Sequence, residues 1–578
     1  MCGIAGMIGP KASLEAVGRM SQRLRHRGPD GEGIWSARDA VLAHRRLSIQ
    51  DLTEAGHQPM VYGSQVLSYN GELYNHEFLR ADLPGPWHST GDTEVLLRLL
   101  SRDGSACLSR LVGMFAFALW DADHRRLLLA RDRLGIKPLY YCLLPDGIAF
   151  ASELKALKDL WQPAIDRSAV RDFLFHGYVP SPKTIYEGIA KLPAGHTLTW
   201  EGGRVRIERY WEPSPEICMR TPRASIEMLD GLLTEVLPAQ TLSDVPVGVF
   251  LSGGIDSALT AYYLDHPRTY TLGFERLGRS EADAARRLAK HLDTEHTEMT
   301  AQAADYGAAL DAIPLLFDEP FGDSAAWSNY LVAEFARHEV KVALSGEGGD
   351  EIFCGYPRYW SHVGERSNLL NRTLAALLPP LSRFGSSMQS RAYVGLEAHA
   401  AALGGLNALQ VDHLLCDDWR ETGYDYLWFY RKFWRADLQP LAQLRWLDLN
   451  TDLADGLLTK VDRTSMAHSL EVRPPLLDHR LVEFMLSVDP ALLVDQTAHR
   501  GKLLVRELME PRLPPGHLDR PKSGFGLPLR SWLKRNPSLL EDAVCRLRER
   551  GVLRRAVHSD FRRAWYILVL DRWFTAFA

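Results

Sequence analysis

The sequence predicts two domains of different α/β character. Residues 2–205 read as an α+β domain built on packed sheets. Residues 225–578 read as an α/β domain on a doubly wound parallel sheet that passes into a helical extension. Three observations carry this reading. The first half holds many short apolar or alternating runs punctuated by Gly, Asp and Pro. The second half alternates helical segments with short β-branched runs. Between them lies a turn-rich stretch with Gly202-Gly203, Pro213, Pro215 and Pro222. A chain of 578 residues also exceeds one ordinary domain.

In the first half the strand candidates are Val66–Tyr69, Leu111–Trp120, Leu127–Ala130 and Gly147–Ala151, with a helical pattern from Asp92 to about Leu100. In the second half they are Val245–Leu251, Arg268–Gly273 and Val340–Leu344, with a helical run Ala258–Leu264 behind the first. Beyond about residue 360 the pattern is almost wholly helical.

Composition excludes several classes. Hydrophobic content of 46% and charged content of 24% describe an ordinary globular chain. A net charge of −5 argues against nucleic acid as a generic partner. No apolar run approaches membrane-spanning length and no secretory signal is legible, so a cytoplasmic protein is expected. Seven scattered cysteines without a C-x-x-C pair fit reduced thiols better than disulfides or zinc. A homodimer is a possible assembly.

Cys2 stands directly behind the initiator methionine. With Met1 removed, one residue carries a thiol of pKa about 8.5 and an amine of pKa about 7.7–8.0. The amine can serve as base for its own thiol. Four constellations accompany it: Arg25–Asp30 (Arg-His-Arg-Gly-Pro-Asp), Arg45–Ile49 (Arg-Arg-Leu-Ser-Ile), Asn70-Gly71-Glu72, and Gly91-Asp92-Thr93-Glu94. Amide hydrolysis needs an oxyanion hole, which an Asn amide and a neighbouring N–H supply. Gly71 lets that backbone come close. An amino-acid substrate needs a cation for its carboxylate and an anion for its ammonium, and Arg46 and Asp92 fit. Taken singly, Asn-Gly is a turn signal and Gly-Asp-Thr-Glu a helix start capped by Asp92 or Thr93.

In this order behind Cys2, the motifs resemble the class II glutamine amidotransferase domain, an N-terminal nucleophile (Ntn) hydrolase. The resemblance covers nearly 200 residues and implies a four-layer αββα fold. It implies Cys2 as nucleophile and base, Asn70 and Gly71 as the oxyanion hole, and Arg46, Leu47, Ser48, Ile49, Gly71, Glu72 and Asp92 as the glutamine site, releasing ammonia.

In the second half, Ser252-Gly-Gly-Ile-Asp-Ser257 follows a strand and opens a helix. Glycine N–H groups and a helix N-terminus cradle oxyanions, and Asp256 could hold Mg²⁺ against pyrophosphate. No Walker A pattern is present. A second glycine-rich acidic strand end, Leu344–Glu351 (Leu-Ser-Gly-Glu-Gly-Gly-Asp-Glu), suggests a shared site at the carboxyl edge of one sheet. Glu471–Asp478 and Arg520–Gly526 read singly as packing and loop chemistry.

The set resembles the synthetase domain of glutamine-hydrolysing asparagine synthetase, an ATP-pyrophosphatase-type fold. The resemblance implies ATP and Mg²⁺ as cofactors. Ser252, Gly253, Gly254, Asp256 and Ser257 would bind pyrophosphate, and Phe250, Leu272, Ser345 and Gly346 would line the nucleotide. Asp256 and Asp350 would hold the metal, Glu347 would act as acid–base group, and Lys522 would stabilise α-phosphate charge. The expected activity is an ATP- and glutamine-dependent amide ligase that converts aspartate to asparagine through an acyl adenylate. Trp327 and Pro474 depart from the family pattern near segments expected to shape the acceptor pocket, and the loop ends Ser257-Ala258 rather than in two serines. Another carboxylate (a sugar acid, peptide or secondary metabolite) is the first alternative. An amidohydrolase with a nucleotide-sensing module is the second. A β-lactam-synthetase-like ligase without glutaminase activity is disfavoured by Cys2, Asn70 and Asp92.

Overall fold

The computed structural model describes residues 2–274, 281–301, 305–361, 395–403, 405–520, 529–554 and 561–577. The first half is a four-layer α-β-β-α stack. One antiparallel sheet orders its strands Ile189–Lys191, Tyr140–Leu144, Gly147–Ala151, Gly3–Ile8, Ala40–Arg46 and Gly31–Ala37. The other orders Arg204–Arg209, His196–Glu201, Arg126–Arg131, Gly113–Asp121, Gln65–Leu73 and Met60–Tyr62.

Alternation along the strands builds the layers. In Gly3–Ile8, Ile4 and Ile8 enter the core between the sheets, against Ala116, Ala118 and Trp120. Ala5 and Met7 face the other way, onto Val17 and Met20 of helix Leu14–Arg23. On the far side, Val95, Leu96 and Leu99 of helix Asp92–Asp103 pack on Leu67, Tyr69 and Phe117. The N-cap of that helix is Gly91, so neither Asp92 nor Thr93 caps it, and Asp92 instead occupies the first helical position. Asn70-Gly71 lies inside strand Gln65–Leu73, not in a turn.

The second half carries a five-stranded parallel sheet in the order Glu295–Ala301, Arg268–Phe274, Val247–Phe250, Val342–Leu344 and Glu471–Arg473. The chain starts in the middle, fills one side, then crosses to the other. Both faces are covered. Val249 and Leu344 pack under Leu259 and Leu288, while Ala343 and Val472 pack under Ala333 and Ala336. The topological switch falls between Val247–Phe250 and Val342–Leu344, where a doubly wound sheet opens a crevice at its carboxyl edge. The outer strand Glu471–Arg473 reads in sequence as packing and loop chemistry. Three residues with two charges carry too little pattern to mark a fully buried strand.

Buried charge joins the halves. Arg27 is fully buried and its guanidinium donates to both carboxylate oxygens of Asp462, at 2.8 and 3.0 Å, and to Glu153 at 2.8 Å. Its Nε also donates to the Cys2 carbonyl at 3.0 Å. Asp462 stands on helix Thr459–Met466 of the second half. Removing one partner of a buried pair leaves an uncompensated charge, at a cost of about 3–5 kcal/mol. Asp462→Ala therefore lowers the thermal unfolding midpoint by several degrees, measured by calorimetry. An unchanged midpoint overturns this assignment.

Candidate active sites

The first site gathers at the edge of the sandwich. Cys2 opens strand Gly3–Ile8, and its backbone N–H donates to Asn70 Oδ1 at 2.8 Å. Asn70 is fully buried, and its Nδ2 has no hydrogen-bond partner among the described residues. A donor held in this way is available to an incoming oxygen. Gly71 allows the strand to run close to its neighbour, since a Cβ there would lie 2.3 Å from the Met114 carbonyl oxygen. Burial raises the Cys2 thiol pKa, so it needs a nearby base to become a thiolate.

A pocket beside Cys2 is lined by Arg46, Leu47, Ile49, Gly71, Glu72 and Asp92. Ser48 is not among its lining residues; its N–H donates to Asp30 at 2.9 Å. The Arg46 guanidinium donates to the carbonyl of Thr53 at 2.9 Å and to that of Asp51. Asp92 is 5% exposed and accepts from Tyr69 Oη and Leu73 N–H, both at 2.9 Å. Burial raises its carboxyl pKa. Glu72 receives Gln50 Nε2 and lies 3.6 Å from the buried guanidinium of Arg473, which comes from the second half. Burial and Glu471 raise the Glu72 carboxyl.

The second site occupies the crevice at the switch point, a cavity of about 850 Å³. Phe250, Ser252, Gly253, Gly254, Asp256, Ser257, Leu272, Ser345, Gly346, Glu347 and Asp350 all line it. The first loop is closed by serine hydroxyls. Ser257 Oγ meets Ser252 Oγ at 2.9 Å and the Ser252 and Gly254 carbonyls at 3.1 Å. The second loop lies directly against it. A Cβ on Gly346 would sit 2.9 Å from the Asp256 backbone, and one on Gly349 would sit 2.6 Å from Asp256 Oδ1. Ser345 Oγ is buried without a partner among the described residues.

Lys502 is a residue that the sequence reading missed. It is buried, takes a left-handed backbone with φ of 61°, and its ammonium bridges Asp256 and Asp350, the latter at 2.6 Å. Gly355 permits this, since a Cβ there would lie 2.2 Å from Lys502 Cε. The basic run Arg500-Gly501-Lys502 was the only local signal. Lys522 lies outside the described residues.

Glu347 shares the cavity with Lys460, whose ammonium holds Asp323 at 3.0 Å. Burial raises Glu347, and Lys460 opposes that rise. Glu351 also lines the cavity, and burial with Asp350 pushes its carboxyl up to about 8. Trp327 is not among the lining residues: Ala325, Asn329 and Val332 of its helix face the cavity, while Trp327 stacks on Tyr330 at 4.7 Å and packs in the core. Pro474 lies at the seam of the halves beside Tyr74 and Asp132, away from this cavity.

The residues present fit a magnesium nucleotide. The close-packed glycines leave room where a Cβ would intrude, and a buried hydroxyl awaits a partner. The two carboxylates suit an ion that takes one or two protein carboxylates plus phosphate oxygens. Among the described residues, no group of three or more metal-ligating side chains forms.

The glutamine amidotransferase domain family matches residues 1–211, and the asparagine synthase family matches residues 228–573. Asparagine synthetase [glutamine-hydrolyzing] 1 of Bacillus subtilis is 30% identical over 99% of this chain and 96% of its own length. Asparagine synthetase B [glutamine-hydrolyzing] of Escherichia coli is 33% identical over 65% of this chain and 68% of its own length. A solved glutamine phosphoribosylpyrophosphate amidotransferase from Bacillus subtilis matches with a TM-score of 0.30 at 15% identity, over 60% of this chain and 81% of that one, a likeness that carries no further argument. With both families matched in turn along one polypeptide, the chain belongs to the asparagine synthase family, as a glutamine-dependent amidotransferase of the asparagine synthetase type.

Proposed function

We propose that this enzyme hydrolyses glutamine at Cys2 and uses the ammonia to convert aspartate to asparagine, with ATP activating the acceptor carboxylate as an acyl adenylate. The observation that carries the reading is the pairing of two sites in one chain: a buried cysteine beside an Asn70 Nδ2 with no partner among the described residues, and a glycine-walled cavity with paired carboxylates. Residues 2–205 and 225–578 are the two working units.

In the first site, Cys2 Sγ attacks the glutamine amide after its proton passes to the residue's own amine, freed by loss of Met1. Asn70 Nδ2 and the Gly71 N–H hold the oxyanion. Arg46 takes the substrate carboxylate and Asp92 its ammonium, with Leu47, Ser48, Ile49 and Glu72 shaping the pocket. In the second site, Ser252, Gly253, Gly254 and Ser257 hold the pyrophosphate, and Phe250, Leu272, Ser345 and Gly346 hold the nucleotide. Asp256 and Asp350 would hold Mg²⁺, which supplies charge neutralisation for the departing pyrophosphate. Glu347 moves a proton during amidation and Lys522 stabilises charge on the α-phosphate. Lys502 bridges the two carboxylates and offsets their mutual repulsion. All seven cysteines are free, which fits a reducing compartment such as the cytoplasm.

Cys2→Ala abolishes glutamine hydrolysis and spares amide formation from ammonium salts; glutamate release at the wild-type rate would sink this reading. Intact-mass measurement shows Met1 absent from the active enzyme.

Asn70→Ala lowers kcat for glutamine hydrolysis by roughly 10²–10³, the cost of one oxyanion donor. Asp92→Ala acts mainly on glutamine KM. Steady-state kinetics with the two effects interchanged overturn the assignment of roles.

Asp256→Ala and Lys522→Ala each abolish ATP–pyrophosphate exchange, while glutamine hydrolysis continues. Normal exchange in either removes that residue from the adenylation step. Aspartate-dependent exchange, with asparagine formed in the presence of glutamine, identifies the acceptor.

A further inference from the structure

One acid on the cavity wall has an unmet oxygen. Glu351 follows Asp350 in the helical turn Gly349–Ile352, and it is 2% exposed. Tyr356 Oη donates to its Oε1 at 2.7 Å, whereas Oε2 has no hydrogen-bond partner among the described residues. Three neighbouring cations are each committed to other carboxylates: Lys502 to Asp256 and Asp350, Lys460 to Asp323 at 3.0 Å, and Arg358 to Asp448 at 2.9 Å. Buried carboxylate oxygens in folded proteins are normally met. One left unmet on the wall of a substrate cavity is matched to a donor that arrives with the ligand.

We propose that Glu351 selects the acceptor by binding its ammonium group, so that the acceptor is an amino acid and not an amine-free carboxylate such as a sugar acid. This rests on the reading that the acceptor is activated in this cavity. An ammonium offers three N–H donors. Glu351 Oε2 takes one, the incoming cation offsetting the burial that disfavours the ionised carboxyl. The contact fixes the amine end of the substrate and leaves its reacting carboxylate unpaired by protein acids. Asp350, one residue earlier, faces Lys502 and belongs to the phosphate end of the cavity. Adjacent acids thus divide the work: Asp350 for the metal, Glu351 for the acceptor.

The test is ATP–pyrophosphate exchange with matched pairs that differ only in the amine, aspartate against succinate and glutamate against glutarate, in the wild type, Glu351→Gln and Glu351→Asp. Gln keeps the size and the acceptor for Tyr356 but loses the charge. Wild type is expected to accept aspartate and refuse succinate. Glu351→Gln raises the aspartate KM about tenfold or more, as loss of a charge-assisted hydrogen bond requires, with ATP KM and Mg²⁺ half-saturation within twofold of wild type. Glu351→Asp, which keeps the charge, falls between. An unchanged aspartate KM in Glu351→Gln overturns the proposal. So does a shift confined to Mg²⁺ half-saturation, which would make Glu351 a metal ligand, or equal use of succinate and aspartate by the wild type. If Glu351→Gln does not fold, judged by near-ultraviolet circular dichroism, the decision passes to Glu351→Asp: a raised aspartate KM at constant ATP KM supports the proposal and an unchanged one overturns it. If no carboxylate supports exchange in the wild type, the adenylation reading fails separately. Calorimetric titration of aspartate into the nucleotide-free proteins then decides: binding by wild type that is lost in Glu351→Gln sustains the proposal, and equal or absent binding in both overturns it.

Discussion

The strand Glu471–Arg473 is the constraint on which the rest of the molecule depends. It is three residues long and wholly buried. Because side chains alternate along a strand, it serves both sites at once. Val472 lines the cavity at the carboxyl edge of the parallel sheet, while Arg473 reaches into the other half toward Glu72. Its backbone also matters, since the Arg473 carbonyl receives the Ser345 N–H at 2.9 Å and so fixes the start of the second glycine loop. Arg473 donates to Glu471 at 2.6 Å and to the Gln240 and Leu242 carbonyls at 2.8 Å. A buried guanidinium with this many directed donors cannot shift without leaving several groups unmet.

Arg27 makes the complementary connection from the opposite side. It holds the Cys2 carbonyl with one nitrogen and Asp462 with two others. Asp462 shares its helix with Lys460, Val461, Thr464 and Ser465, which line the nucleotide cavity. The backbone at Cys2 and the floor of the second site are therefore tied through one side chain. Such buried pairs contribute modestly to net stability, because desolvation offsets attraction. What they supply is geometry: the two domains are locked in a single relative placement.

The crevice at the switch point shows how backbone and charge cooperate. The switch in strand order brings two loops together at the carboxyl edge, and glycine at 346 and 349 lets them touch. The contact puts Asp256 and Asp350 on either side of one lysine ammonium. Two carboxylates this close would repel if bare, and the Lys502 ammonium between them offsets that repulsion.

The sequence by itself determined what has a local code. Apolar runs marked the strands Gln65–Leu73, Gly113–Asp121, Arg126–Arg131 and Gly147–Ala151 to within a few residues. Glycine-rich strand ends marked both loops of the crevice, and Cys2, Asn70 and Asp92 could be named because each belongs to a short motif whose residue types suit amide chemistry. Tertiary structure alone decided what depends on distant partners. Lys502 belongs to none of the motifs, and Arg27 and Arg473, although each lies within one, take their meaning from partners hundreds of positions away: Lys502 from Asp256 and Asp350, Arg27 from Asp462, Arg473 from Glu72. Trp327 illustrates the same limit in reverse: an indole near a site in sequence faces the core, because a helix turns about 100° per residue and its cavity face is set by Ala325, Asn329 and Val332. Motifs encode chemistry through neighbours along the chain, whereas burial and charge pairing are properties of neighbours in space.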